Sequence, residues 1–178
     1  MVPEASLEQT ESGLVPNGEG WYVLNAKESR WLDHPAFGWG TTFEGEPGFK
    51  QIGINISVLN PGQPLCLYHR EGDQEDFLVL FGEAVLLVEG EERPLKAWDF
   101  FHSPPGTDHV IVGAGHGQSA ILAVGGRGPD DELFYPASEL AARYGASAEK
   151  DTPDPKEAYA PFGRSETVPY RGQLDGAS

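Results

Sequence analysis

Hydrophobic and polar positions alternate most cleanly over residues 51–58, where Ile52, Ile54, Ile56 and Val58 share one face. A period of two marks a half-buried strand. Residues 76–81 and 84–88 are apolar runs split at Gly82-Glu83. Glu89-Gly90-Glu91 is a hairpin signal, and residues 93–97 are expected to return antiparallel to the strand before them. Residues 99–103, 109–112 and 119–124 continue the series, and residues 21–24 and 37–43 read as earlier strands. Pro61-Gly62 makes a turn, after which residues 64–69 run extended. Short strands about 8–12 residues apart with turns between them predict a sandwich or barrel. One helix pattern stands out, residues 138–144, with a serine near its start and Gly145 at its close.

The ends of the chain read differently. Residues 1–19 hold four glutamates and no basic residue, without periodicity, and are expected to form a mobile acidic arm. Residues 146–178 are rich in Pro, Gly and charge, which predicts an extended tail laid over the barrel. The organisation is then an arm over 1–20, an all-β barrel over 21–135, and a helix with an extended tail over 136–178. A chain of 178 residues has room for a single well-buried core. Its 23 glycines and 15 prolines agree with many turns and few helices.

Charge narrows the partners. Acidic residues outnumber basic ones 28 to 12, a formal charge of −16 that repels phosphate backbones and anionic membranes. The single cysteine, Cys66, cannot close an intramolecular disulfide and reads as a small buried apolar residue. The first twenty residues lack the basic and apolar regions of a secretory signal, and no apolar run is long enough to span a bilayer. These features predict a soluble cytoplasmic protein.

The chemistry gathers between His69 and His109. His69 and Glu71 are two apart on one extended segment and face one side, in line with Leu65 and Leu67. Glu75 opens the next strand, in line with Phe77, Val79 and Phe81, and His109 opens a later one, in line with Ile111. Each candidate thus sits at the mouth end of a strand whose same-face neighbours are apolar. A carboxylate beside Phe and Val is very costly unless paired or bound to a cation. Two neutral imidazoles with one or two carboxylates suit Fe, Mn, Ni, Co or Zn and leave positions open. His34 and His116 read as loop residues, Asp73 as a solvated turn charge and His102 as a core histidine. Phe77, Phe81, Trp98, Phe100 and Phe101 read as core and pocket wall.

These residues resemble the cupin superfamily. Its first motif, G-x5-H-x-H-x3-4-E-x6-G, is matched by Gly62, His69, Glu71, Glu75 and Gly82, with one extra residue after Gly62 and Glu71 in place of the second histidine. Its second, G-x5-P-x-G-x2-H-x3-N, is matched by Pro104, Gly106 and His109, with Trp98 and Gly113 replacing the outer glycine and asparagine. The resemblance covers roughly residues 50–127 and points to the small bacterial single-domain cupins. It implies a double-stranded β-helix, or jelly roll, whose cavity holds one divalent transition metal (Fe, Mn, Zn or Ni) on His69, Glu71, Glu75 and His109. It implies a homodimer as well. Glu71 is either a fourth ligand or a general base beside an open position.

Two functions follow. One is a metal-dependent enzyme acting on a small organic molecule: a dioxygenase with iron, or an isomerase or decarboxylase with manganese or zinc. The other is a non-catalytic small-molecule binding or sensing module. A purely structural barrel with adventitious metal is the third reading.

Overall fold

The computed structural model describes residues 1–129 and 132–177; Asp130, Asp131 and the last residue of the expected tail, Ser178, lie outside them. The strands are β1 (Ser6–Thr10), β2 (Gly13–Asn17), β3 (Trp31–His34), β4 (Gly38–Thr42), β5 (Ile52–Leu59), β6 (Glu75–Phe81), β7 (Glu83–Val88), β8 (Glu91–Lys96), β9 (Phe100–Ser103), β10 (His109–Ala114), β11 (Ser119–Gly126) and β12 (Glu166–Val168). Two short helices, α1 (Glu139–Ala142) and α2 (Pro155–Ala158), precede β12, and a 3-10 turn follows it. Among the described residues no helix is long and apolar enough to cross a membrane.

A seven-stranded sheet in the order β12-β3-β4-β5-β11-β6-β9 faces a three-stranded sheet in the order β10-β7-β8, with antiparallel pairing throughout. Residues 64–69 extend the smaller sheet along β10, where Leu65 N–H donates to Ile111 O at 2.8 Å. The result is the antiparallel jelly roll that the turn spacing and the motifs imply. Between the sheets, Leu59, Phe77 and Val79 pack on Leu86 and Ile111. Burying side chains of this size stabilises by roughly 1.5–3 kcal/mol each.

The alternating face of β5 does not look into the barrel. Ile56 and Val58 pack outward against Trp31, Ala120 and Val168, while Leu59, out of phase with them, joins the inner cluster. Ile52 at the end of the same face is exposed. Periodicity reveals that one face is apolar; which layer covers it depends on β3 and β12, and neither carries a sequence signal strong enough to have been anticipated. Phe81 likewise leaves the line of Phe77 and Val79. A register shift opposite Ala120 and Ile121 inserts Leu80 and turns Phe81 to the outer layer.

Other expectations need correction. Where a mobile arm is expected, β1 and β2 form a hairpin, and Ala5 N–H donates to Trp21 O at 2.9 Å. Residues 21–24 form no strand; Trp21 makes only an isolated bridge to Glu4. Helix α1 matches its signals: Ser138 Oγ accepts from Ala141 N–H, and Gly145 takes a positive φ of 66°. Helix α2 was missed, although Asp154 caps it and Pro155 occupies its first turn. His34 ends β3 instead of lying in a loop. His102 is exposed, its ring paired with Asp76 at 2.7 Å. Phe100, on the edge strand β9, and Trp98, in the turn before it, are also exposed.

The two departures from the second motif have physical consequences. A Cβ added at Gly113 would run into the Asn60 carbonyl, so the asparagine of the motif has no room here. Trp98, where the motif has glycine, adopts a φ of 74° while its side chain stays in solvent. A left-handed backbone costs a non-glycine residue roughly 1–2 kcal/mol. Trp98→Gly is therefore expected to stabilise the protein by about 1 kcal/mol in urea unfolding. A loss of stability would show that the indole contributes more than its exposure allows.

Candidate metal centre

The backbone places the two histidines side by side. His69 and His109 sit directly opposite one another and exchange both main-chain hydrogen bonds, at 3.1 and 2.8 Å. Side chains of such a pair leave the same face of the sheet, and the two rings stand 5.0 Å apart. Glu75 enters from the facing sheet at the first residue of β6, opposite Gly125 on β11. A Cβ at Gly125 would lie 3.4 Å from Glu75 Oε1, so glycine there leaves room for the carboxylate.

Local hydrogen bonds orient the rings. His69 Nδ1 lies 2.9 Å from Leu67 O, and His109 Nδ1 lies 3.0 Å from Thr107 O. A ring N–H directed at a carbonyl leaves the lone pair on Nε2. Both Nε2 atoms face Glu75 Oε2, at 3.5 Å from His69 and 3.1 Å from His109. Two donors each about 2.1 Å from one ion stand roughly 3.0–3.5 Å apart, which is the spacing found. The three donor atoms all lie within 4.8 Å of one another. Glu75 Oε2 and His109 Nε2 are buried with no hydrogen-bond partner, an arrangement that a cation between them would satisfy.

Electrostatics agree with a site that attracts positive charge. Burial works against ionisation of Glu75, but the adjacent His109 and His69 imidazoles outweigh it and hold the carboxyl down at about 2. His69 is moved well above its ordinary value: burial opposes its charged form, while Cys66 beside Nδ1 and Glu71 and Glu75 beside Nε2 favour it. Phe77 and Phe101 stand edge-on to His109 at 5.3 and 5.6 Å and form the apolar wall.

Of the four expected ligands, His69, Glu75 and His109 converge. Glu71 stands at their edge, with Oε1 3.5 Å from His69 Nε2 but outside the group of mutually close donors. Glu71→Ala is expected to weaken metal retention by about tenfold, as loss of an outer partner does; complete loss on metal analysis would make Glu71 a direct ligand. Asp73 is not a solvated turn charge, since it accepts the Gly128 N–H. Residues outside the motifs complete the surroundings. Tyr135 stacks on His69 at 5.9 Å, and burial, the largest influence, pushes its phenol up to about 12. Arg70 and Asp108, next to the two histidines in the chain, pair at 2.9 Å. Neither role was anticipated: Tyr135 lies beyond the last barrel strand, and the Arg70–Asp108 pair exists only once the two segments meet.

The model of the cupin domain family matches residues 55–125, the stretch that supplies all three converging donors. This stretch is a cupin domain. The cupin barrel is also similar in sequence to an oxalate-binding protein of Thermotoga maritima, 35% identical over 66 residues, which are 37% of this chain and 54% of that protein. The chain thus spans about half the length of the curated relative it matches. A Thermotoga maritima structure described as a predicted oxalate decarboxylase superposes with a TM-score of 0.52 at 23% identity, over 58% of this chain and 97% of that one. An RmlC-like cupin from Shewanella frigidimarina superposes with a TM-score of 0.53 at 17% identity, over 62% and 95%. These structures share the cupin fold, while β1 to β4 and the segment after β11 lie outside the matched domain.

Proposed function

We propose that this protein is a metal-binding cupin that holds one divalent transition ion (Fe, Mn, Zn or Ni) on His69, Glu75 and His109, and receives a small organic acid at the open positions. One observation carries the reading: three donor atoms, two of them buried and unpartnered, face one another with the far nitrogen of each imidazole tied to a backbone carbonyl. A two-histidine, one-carboxylate set leaves an ion open to further ligands. When bound, the ion would polarise the oxygens of the acid or support oxygen chemistry. Glu71, partly exposed beside His69, would take or give a proton at that opening. The walls of Phe77 and Phe101 limit water around it.

Oxalate is the first acid to test, on the similarity to an oxalate-binding protein. The experiment is metal analysis by plasma mass spectrometry on tag-free protein, then calorimetric titration of oxalate into metal-loaded and metal-stripped samples. Oxalate is expected to bind only the loaded form, and metal loading is expected to release protons, because an ion displaces the proton that His69 favours. Failure of all four ions to bind would sink the reading. Formate and carbon dioxide released from oxalate would identify a decarboxylase; retention without turnover would favour a binding module, the reading that the relative's description supports.

A further inference from the structure

A second cavity, of about 400 Å³, opens between β3–β4 and residues 159–165. Both of those walls lie outside the matched cupin domain, and His69, Glu75 and His109 do not line the cavity. A volume of this size suits a small organic ligand. Phe37, Leu65 and Tyr159 give it an apolar, partly aromatic lining. Phe37 is braced edge-on against Tyr159 at 5.3 Å, so this wall is built from packed rings.

The β4 wall owes its openness to Gly40. A Cβ there would meet nothing closer than Ser57 Oγ at 3.9 Å, and the backbone of Gly40 is not in the left-handed region. Nothing in the local conformation requires glycine, yet a side chain would fill the cavity. His34 also borders the space, but both its ring nitrogens are engaged: Nε2 with Gly163 O at 2.9 Å and Nδ1 with Ala36 N–H at 3.0 Å. It anchors the rim instead of offering a free group.

Arg164 on that rim is different. Six of the twelve basic residues form ion pairs: Lys27, Arg70, Arg93, Arg127, Arg143 and Lys150. Arg164 has no such partner among the described residues, in a chain of net charge −16. We propose that this cavity binds a small monocarboxylate with an aromatic or branched apolar body, its carboxylate on the Arg164 guanidinium and its body between Phe37, Leu65 and Tyr159. The guanidinium fork matches one carboxylate in bidentate fashion. A second negative charge would meet the field of an acidic molecule with no second cation in the lining.

The test uses benzoate and its neutral isostere benzamide, titrated calorimetrically into the full metal-loaded chain. Cys66, the single cysteine, also borders the cavity and reports occupancy through its labelling rate with a thiol reagent. Benzoate is expected to bind saturably, about tenfold more tightly than benzamide, and to slow labelling of Cys66. Arg164→Gln should weaken benzoate about tenfold while leaving benzamide unchanged. Gly40→Val should remove binding of both without changing metal content, and His109→Ala should leave benzoate binding intact. No saturable binding up to about 10 mM would overturn the proposal. So would benzoate binding that survives Gly40→Val, or that is lost in His109→Ala, since the latter would place the anion on the metal.

Discussion

His109→Ala is expected to strip the protein of its metal, from about one ion per chain to a trace on plasma mass spectrometry. His109 supplies a buried Nε2 that has no other partner, and its ring is held by Thr107 O and Ser103 Oγ on the Nδ1 side. Its removal leaves two protein donors, His69 and Glu75, and a gap in the wall against Phe77 and Phe101. Loss of an outer-shell partner alone costs about 10–100-fold in affinity, and loss of a direct ligand costs more. The fold should survive, because the inner cluster of Leu59, Val79, Leu86 and Ile111 is untouched. Circular dichroism of the variant provides the control. Unchanged metal content in a folded His109→Ala protein would remove the proposed site altogether.

Trp31→Ala is expected to produce the largest loss of stability, about 3–5 kcal/mol, as truncation of a buried aromatic does. Trp31 is fully buried and packs on Ile56, Val58, Ala120 and Val168. Its indole N–H donates to Ala26 O at 2.9 Å, and its ring lies 5.9 Å from that of Tyr170. Its backbone pairs with Val168 on β12. One side chain therefore joins the barrel to segments that precede and follow it. The melting temperature should fall by roughly 10 °C in a chain of this size. Metal content should not change, because the three donors sit on the other side of β5 and β11, between the sheets. A loss below about 1 kcal/mol would show that the outer layer contributes little to stability.

Both expectations depend on information of different reach along the chain. The strands of the barrel, the Glu89-Gly90 hairpin and helix α1 were legible because their signals are local: an apolar run, a pair of positive-φ residues, a capping serine and a closing glycine. His69, Glu75 and His109 were legible as candidates for a related reason. A polar ligand at the end of an apolar run conflicts with its neighbours, and that conflict is visible without coordinates. The missed elements carry no such conflict. Strand β3 has four residues and β12 has three; β3 is held between β4 and β12, and β12 is a strand through its pairing with β3. Phe100 and His102 were placed inward because period two identifies a face without saying which side of it is solvent.

From sequence alone came the antiparallel barrel, the strand ends that carry the donors and the chemistry those donors favour, because each is written in residues close together. Tertiary structure decided the rest. It separated Glu71 from the three converging donors, turned Phe81 outward through a one-residue register shift, and covered Ile56 and Val58 with Trp31 and Val168. It also brought β3, β4 and residues 159–165 together around a second cavity. These outcomes rest on contacts between distant segments, whose free energy arises only when the sheets meet and water leaves the space between them.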